Sequence, residues 1–158
     1  MYDWLLFLHV LAAFALVTAL VIFSAVAIAG YRVETPGAAL AYFRVAQPAN
    51  VLIAAGGLLT LVLGIWLVFE APGDYHLWDG WVIIALVLWA IVAGVGQRTG
   101  REYAPAEELA KQLVADGGDA PSAELNQSLR NPRALTFHAI AVGAALLLLI
   151  DMIFKPGA

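Results

Sequence analysis

Cysteine is absent from the 158-residue chain, and methionine occurs only at Met1 and Met152. The first absence excludes disulfide frameworks, thiolate metal sites, iron–sulfur clusters and cysteine nucleophiles. The second argues against a methionine-rich copper path. Charge is scarce as well: Asp, Glu, Lys and Arg make up 13% of the residues, against roughly 25% in soluble domains. With so few cations, no basic face for nucleic acid can be assembled. The chain also lacks a phosphate-cradling glycine motif, a nucleophile elbow and a paired-carboxylate signature, so the reading leans away from an enzyme.

What the chain has in quantity is apolar surface: 63% of its residues are hydrophobic and the mean hydropathy is +0.86. Trp4 to Ala29 runs for 26 residues broken only by His9, Thr18 and Ser24. As a helix it covers roughly 39 Å, more than the ~30 Å hydrocarbon core of a bilayer. Ala25, Ala27 and Ala29 have the spacing of a signal-cleavage site, but Asp3 precedes the segment without Lys or Arg and the apolar region is long for a signal. The segment is therefore expected to be a retained span. Three more apolar stretches follow, Val51 to Phe69, Trp81 to Gly96 and Ala134 to Phe154. The expected fold is all-α: a polytopic membrane protein with a four-helix transmembrane bundle and a cytoplasmic helical hairpin between spans three and four. One membrane domain covers 1–158, with spans at about 4–29, 50–70, 80–98 and 133–154 and the hairpin at about 99–132.

Direction follows from the cations. Arg32 and Arg44 lie between spans one and two, and Arg98, Arg101, Lys111, Arg130 and Arg133 between spans three and four, which is seven of the eight Lys and Arg residues. The loop between spans two and three carries Glu70, Asp74 and Asp79 and no cation. The positive-inside rule then puts both termini and this acidic loop outside the cell membrane and loops 30–49 and 97–133 in the cytoplasm. Trp4, Trp66, Trp78 and Trp81 fall towards the outer interface, where indole rings gather.

Local signals refine the picture. Thr35-Pro36 has the form of an N-cap with proline at the first helical position, opening a short interface helix; Pro48 is expected to break or kink the chain before span two. Pro105, Glu107 and Glu108 are expected to open a separate helix that stops at Gly117-Gly118, and a second short helix is expected from Ser122 to Arg130, ended by Asn131-Pro132. Gly56, Thr60 and Gly64 make a small-residue packing stripe in span two, suited to packing within the bundle or to a homo-oligomer face.

Ionisable groups at membrane depth are the natural candidates for function. His9 lies five residues beyond Trp4, and Asp151 reaches a similar outer depth from the opposite direction. A His9–Asp151 pair would fix the imidazole tautomer and raise its basicity; the competing reading is a local ion pair between Asp151 and Lys155 four residues on. His138 sits roughly 15 Å away in depth from His9, which disfavours a bis-histidine haem on that pair. It reads as an interface histidine near Asn50 or Gln97. His76, among the carboxylates of the outer loop, has no fixed ligand spacing, so that loop reads as a loop rather than a metal site.

Two short motifs, Leu8-His9-Val10-Leu11-Ala12 and Met152-Ile153-Phe154-Lys155-Pro156-Gly157, resemble those of a family of small four-span predicted integral membrane proteins with no assigned function, and the likeness covers nearly the whole chain. A looser similarity links the early histidine and the terminal Lys-Pro to the membrane domain of the copper-resistance protein CopD and to haem-binding, protoporphyrinogen-oxidase-like membrane proteins. That resemblance implies a haem or metal ligand at His9, with haem b as the cofactor. Three functional expectations result: a non-catalytic or accessory bundle with a polar His9/Asp151 pair; a haem-binding redox protein with His9 as axial ligand; and a small transporter or channel. The expected partners are the lipid bilayer and a second copy or another membrane protein.

Overall fold

The computed structural model describes residues 1–73 and 75–157; Asp74 of the loop between spans two and three lies outside them. The described residues form α1 (Tyr2–Gly30), α2 (Pro36–Glu70), α3 (Gly80–Ala115), α4 (Ala123–Leu129) and α5 (Pro132–Phe154), with no strand among them. Four of the five, all except the seven-residue α4, are long and apolar enough to cross a membrane. The ends are built as local chemistry dictates. Thr35 caps α2 by accepting from the Ala38 N–H at 3.3 Å, Ser122 caps α4 at 3.3 Å from the Leu125 N–H, and Asn131 caps α5 at 3.0 Å from the Arg133 N–H. Beyond α3, Gly117 adopts φ 77°, and the Gly118 N–H closes on the Leu113 carbonyl at 2.9 Å.

Two expected breaks do not occur. The interface helix and span two are one element, with Pro48 inside α2, and the helix expected to start at Pro105 is the far end of α3. A helix-interior proline loses one backbone bond and costs about 3 kcal/mol. Ending and restarting the helix would strip up to four N–H and four C=O groups of their partners, which apolar surroundings penalise more. Beyond Pro105, Ala106 and Ala110 are fully buried against Ala39 of α2 and Leu125 of α4.

The helices are antiparallel neighbours, α1 along α2 and α3 along α5, and the pairs join mainly through α2 and α3. The α1/α2 register is continuous. Gly30 faces Tyr42, Gly56 faces the backbone of Ala12 and Leu16, and Gly64 faces His9. The Trp89 indole N–H donates to the Gly57 carbonyl at 2.9 Å and ties α3 to α2. Side chains at the buried contacts are mostly small, with Ala19, Ala39, Ala49 and Ala134 fully buried, while Phe14, Val51, Phe69, Ile153 and Phe154 point outward. Small residues inside and bulky apolar ones outside is the distribution expected where lipid surrounds the protein and close backbone approach holds helices together.

The two ends of the bundle differ in charge. The basic end, so called because it carries seven of the eight Lys and Arg residues, which seven Asp and Glu residues balance, holds the α1–α2 connection, the far end of α3 and α4. The acidic end holds the termini and the α2–α3 loop.

Candidate functional site

At the acidic end, His9 is half-buried with its Cε1 edge against Gly64: a Cβ at that glycine would lie 2.9 Å from Cε1 and 3.4 Å from Nδ1. Gly64 is thus the notch that admits the ring. The backbone of Thr60 lies against the same ring, and both His9 Nδ1 and Thr60 Oγ1 are enclosed without a hydrogen-bond partner. As an axial ligand His9 would have to present Nε2, because Nδ1 is closed in against α2.

Asp151 is 5% exposed, and neither carboxylate oxygen has a hydrogen-bond partner. The structure therefore does not join His9 and Asp151 by a hydrogen bond. It does not join Asp151 to Lys155 either: the ammonium lies over the rings of Tyr75 and Trp81, 4.7 and 5.3 Å from their centroids, in cation–π contact. In the loop, His76 stacks on Trp78 with centroids 4.6 Å apart, and its backbone N–H donates to Asp79 Oδ2 at 2.8 Å. No group of three or more His, Asp or Glu suited to a metal ion occurs among the described residues. The stripe of Gly56, Thr60 and Gly64 is covered by α1 of the same chain; a Cβ at Gly56 would lie 3.1 Å from both the Ala12 oxygen and the Leu16 nitrogen.

The basic end holds a cavity of about 450 Å³ where α1, α2, α3 and α5 meet. Its apolar wall is Phe23, Val26 and Ala27 of α1 with Leu40 and Phe43 of α2. The lining also carries two polar stripes set by helical spacing: Arg44, Gln47 and Asn50 at intervals of three on α2, and Thr99, Tyr103, Glu107 and Lys111 at intervals of four on α3. His138 of α5 completes the lining. Thr99 and His138 are buried, whereas Arg44, Gln47, Asn50 and Lys111 are exposed, so the floor is the neutral pair Thr99 and His138 and the cations lie at the mouth.

Each end of the cavity has its own electrostatics. At the mouth, Lys111 Nζ is 2.8 Å from Glu107 Oε1, and this hydrogen bond holds the ammonium above its usual range. Arg44 has no ion-pair partner among the described residues. Burial, and secondarily the field of a neighbouring tyrosine, pushes the hydroxyls of Tyr42 and Tyr103 upward, so both stay protonated donors. On the floor, the Ser24 hydroxyl donates to the Leu20 carbonyl at 2.9 Å and lies 2.8 Å from His138 Nε2. Either His138 Nε2–H donates to the Ser24 oxygen or the hydroxyl turns to donate to Nε2, and both arrangements leave Nδ1 as the ring nitrogen with no hydrogen bond among the described residues.

His138 is thus a satisfied histidine that shares a cavity with Asn50, while its partner is Ser24. Sequence reasoning missed the cavity because it sought ionisable pairs. The signal was the α2 triplet at 44, 47 and 50, a polar face running into an apolar span.

Fold and site define a class: an all-helical integral membrane protein with four spanning helices and a polar-lined cavity at one end. The chain belongs to the family described as predicted integral membrane protein (DUF2269), whose model matches residues 3–156. No curated protein and no solved structure matches, so the likeness to copper-resistance and protoporphyrinogen-oxidase-like proteins has no support from them.

Proposed function

We propose that the protein is a non-catalytic, accessory bundle of the cell membrane that binds a small amphiphile in its basic-end cavity. The observation that carries this reading is the lining: apolar side chains of α1 and α2 together with two polar stripes around about 450 Å³, within the roughly 300–1,000 Å³ of small-molecule sites. The cation distribution supports an orientation with both termini outside and the basic segments in the cytoplasm. The cavity then opens towards the cytoplasmic leaflet, where a single-chain amphiphile has its headgroup in water and its chain in hydrocarbon. On this reading His9, Thr60 and Asp151 serve the packing of the opposite end.

Binding is tested with radiolabelled dodecanoate on protein in phosphatidylcholine nanodiscs, empty discs subtracted. Saturable binding is expected, lost on Ala27→Trp, which fills the cavity; Leu40→Trp serves if that variant fails to fold. Non-saturable uptake indifferent to both fillings overturns the reading. A Soret band in the purified protein, abolished by His9→Ala, would instead favour a haem protein. Orientation is read with single cysteines in this cysteine-free chain: Trp78→Cys should react with a membrane-impermeant maleimide in intact cells, and Asp116→Cys only after permeabilisation. The reverse pattern refutes the orientation.

A further inference from the structure

We infer that the cavity selects a single-chain amphiphile with an anionic headgroup, held by Arg44, and a hydroxyl at its buried end, hydrogen-bonded to His138. The inference rests on the binding reading above and adds the chemistry of the occupant.

The headgroup assignment follows from charge. Glu107 neutralises Lys111 at 2.8 Å, which leaves Arg44 as the lining cation without an ion-pair partner among the described residues. An uncompensated guanidinium at the edge of a low-dielectric site favours an anion and disfavours a cation.

The floor assignment follows from counting hydrogen-bonding sites. The Thr99 hydroxyl proton goes to the Val95 carbonyl at 3.1 Å, and His138 Nε2 is taken up by Ser24 at 2.8 Å. What remains for an occupant at the buried floor is Nδ1 of His138 and the lone pairs of Thr99. An occupant ending in a methyl group leaves Nδ1 unmatched, whereas a hydroxyl, which both donates and accepts, pairs with it in either tautomer.

Length follows from the helix. Arg44 and Asn50 are six residues apart, about 9 Å of rise, and the arginine side chain extends the reach to roughly 10–15 Å. That separation suits a chain of ten to twelve carbons. The volume of about 450 Å³ accommodates one such chain and is too small for a diacyl lipid.

The test compares dodecanoate, 12-hydroxydodecanoate and dodecyltrimethylammonium on the full chain in phosphatidylcholine nanodiscs, at alkaline pH where the carboxylates are ionised. The hydroxy acid should bind about five- to tenfold more tightly than dodecanoate, the effect of one net hydrogen bond, and the ammonium compound most weakly. His138→Phe should erase the hydroxyl preference while leaving dodecanoate binding in place. Arg44→Gln should weaken both acids alike and raise the ammonium compound relative to them. If both acids bind equally, yet Ala27→Trp still abolishes both, the hydroxyl assignment is overturned and the binding reading stands. Tightest binding by the ammonium compound overturns the anion assignment. If nothing binds and Ala27→Trp changes nothing, the binding reading has failed, and this inference with it.

Discussion

Replacing Gly56 by alanine tests whether backbone contact between α1 and α2 is what holds the bundle together. A Cβ there would lie 3.1 Å from the Ala12 oxygen, 3.1 Å from the Leu16 nitrogen and 3.3 Å from the Ala15 Cβ. Two of these atoms are backbone and cannot rotate away, so α1 must move by a few tenths of an ångström. Overpacking of this kind costs about 1–3 kcal/mol. Alanine returns roughly 0.5–1 kcal/mol through helix propensity, for a net loss of about 0–2.5 kcal/mol. Gly94 and Gly143 have nothing within 4 Å of a built Cβ, so alanine there keeps only the propensity gain. Gly64 is the informative third case. Its clash is shorter, 2.9 Å, but it is with the Cε1 of His9, a side chain that can turn at about 0.5–1.5 kcal/mol. Reversible unfolding in mixed micelles, followed by circular dichroism, should therefore rank the variants Gly94→Ala above Gly64→Ala above Gly56→Ala. A Gly56→Ala protein as stable as Gly94→Ala, or less damaged than Gly64→Ala, would refute the argument that immobile backbone, rather than distance alone, sets the cost.

Three further outcomes are expected. Ser24→Ala leaves His138 Nε2 without its hydrogen-bond partner and should cost about 1–3 kcal/mol, while adding His138→Phe should recover part of that loss; strict additivity in the double-mutant cycle refutes the bond. Asp151→Asn removes a buried group whose oxygens have no partner and should be neutral or stabilising by about 1 kcal/mol; a clear loss of stability would mean that Asp151 pairs with Lys155 or His9 after all. Because burial raises the Tyr42 hydroxyl above its ordinary value of 10.0, its contribution to stability is complete below that pH and is lost as pH rises beyond it. Tyr42→Phe should flatten the alkaline limb of a stability–pH curve, and an unchanged limb counts against the burial.

The spans were legible because membrane depth imposes one simple demand, a long run without Asp, Glu, Lys or Arg, and Trp4 to Gly30 in α1 and Ala134 to Ile150 in α5 meet it. The ends were legible where a side chain caps its own helix, as at Thr35 and Ser122. What was not legible is continuity through Pro48 and Pro105. Proline is a local signal, whereas the cost of breaking a helix depends on what surrounds the freed backbone groups. Long-range partners were hidden for a related reason. Ser24 and His138 are 114 residues apart, and nothing near either names the other. Depth reasoning placed His138 beside Asn50 without revealing that both line a cavity. The same reasoning brought His9 and Asp151 to one level, but level says nothing about rotation around a helix axis, and neither carboxylate oxygen has a partner.

Rotation also separates the two ends of the molecule in kind. At the acidic end, polar atoms are enclosed by packing: His9 Nδ1, Thr60 Oγ1, the Trp81 indole nitrogen and both Asp151 oxygens are buried without partners. At the basic end Asn126 Oδ1 of α4 is a further orphan, but the polar side chains around the cavity floor are hydrogen-bonded within the protein, Ser24 to Leu20, Thr99 to Val95 and His138 to Ser24, and Thr99 and His138 line a space. Enclosed orphan groups strain a fold, and removing them should stabilise it. Hydrogen-bonded groups that line a space and keep a free polar site, as His138 does, discriminate between occupants, and replacing them should change what binds. Asp151→Asn and His138→Phe therefore belong to opposite experiments: the first is read in stability with binding unchanged, the second in ligand preference with the fold retained. If Asp151→Asn instead altered dodecanoate binding across the length of the bundle, the two ends would be coupled, and the assignment of function to the basic end alone would fall.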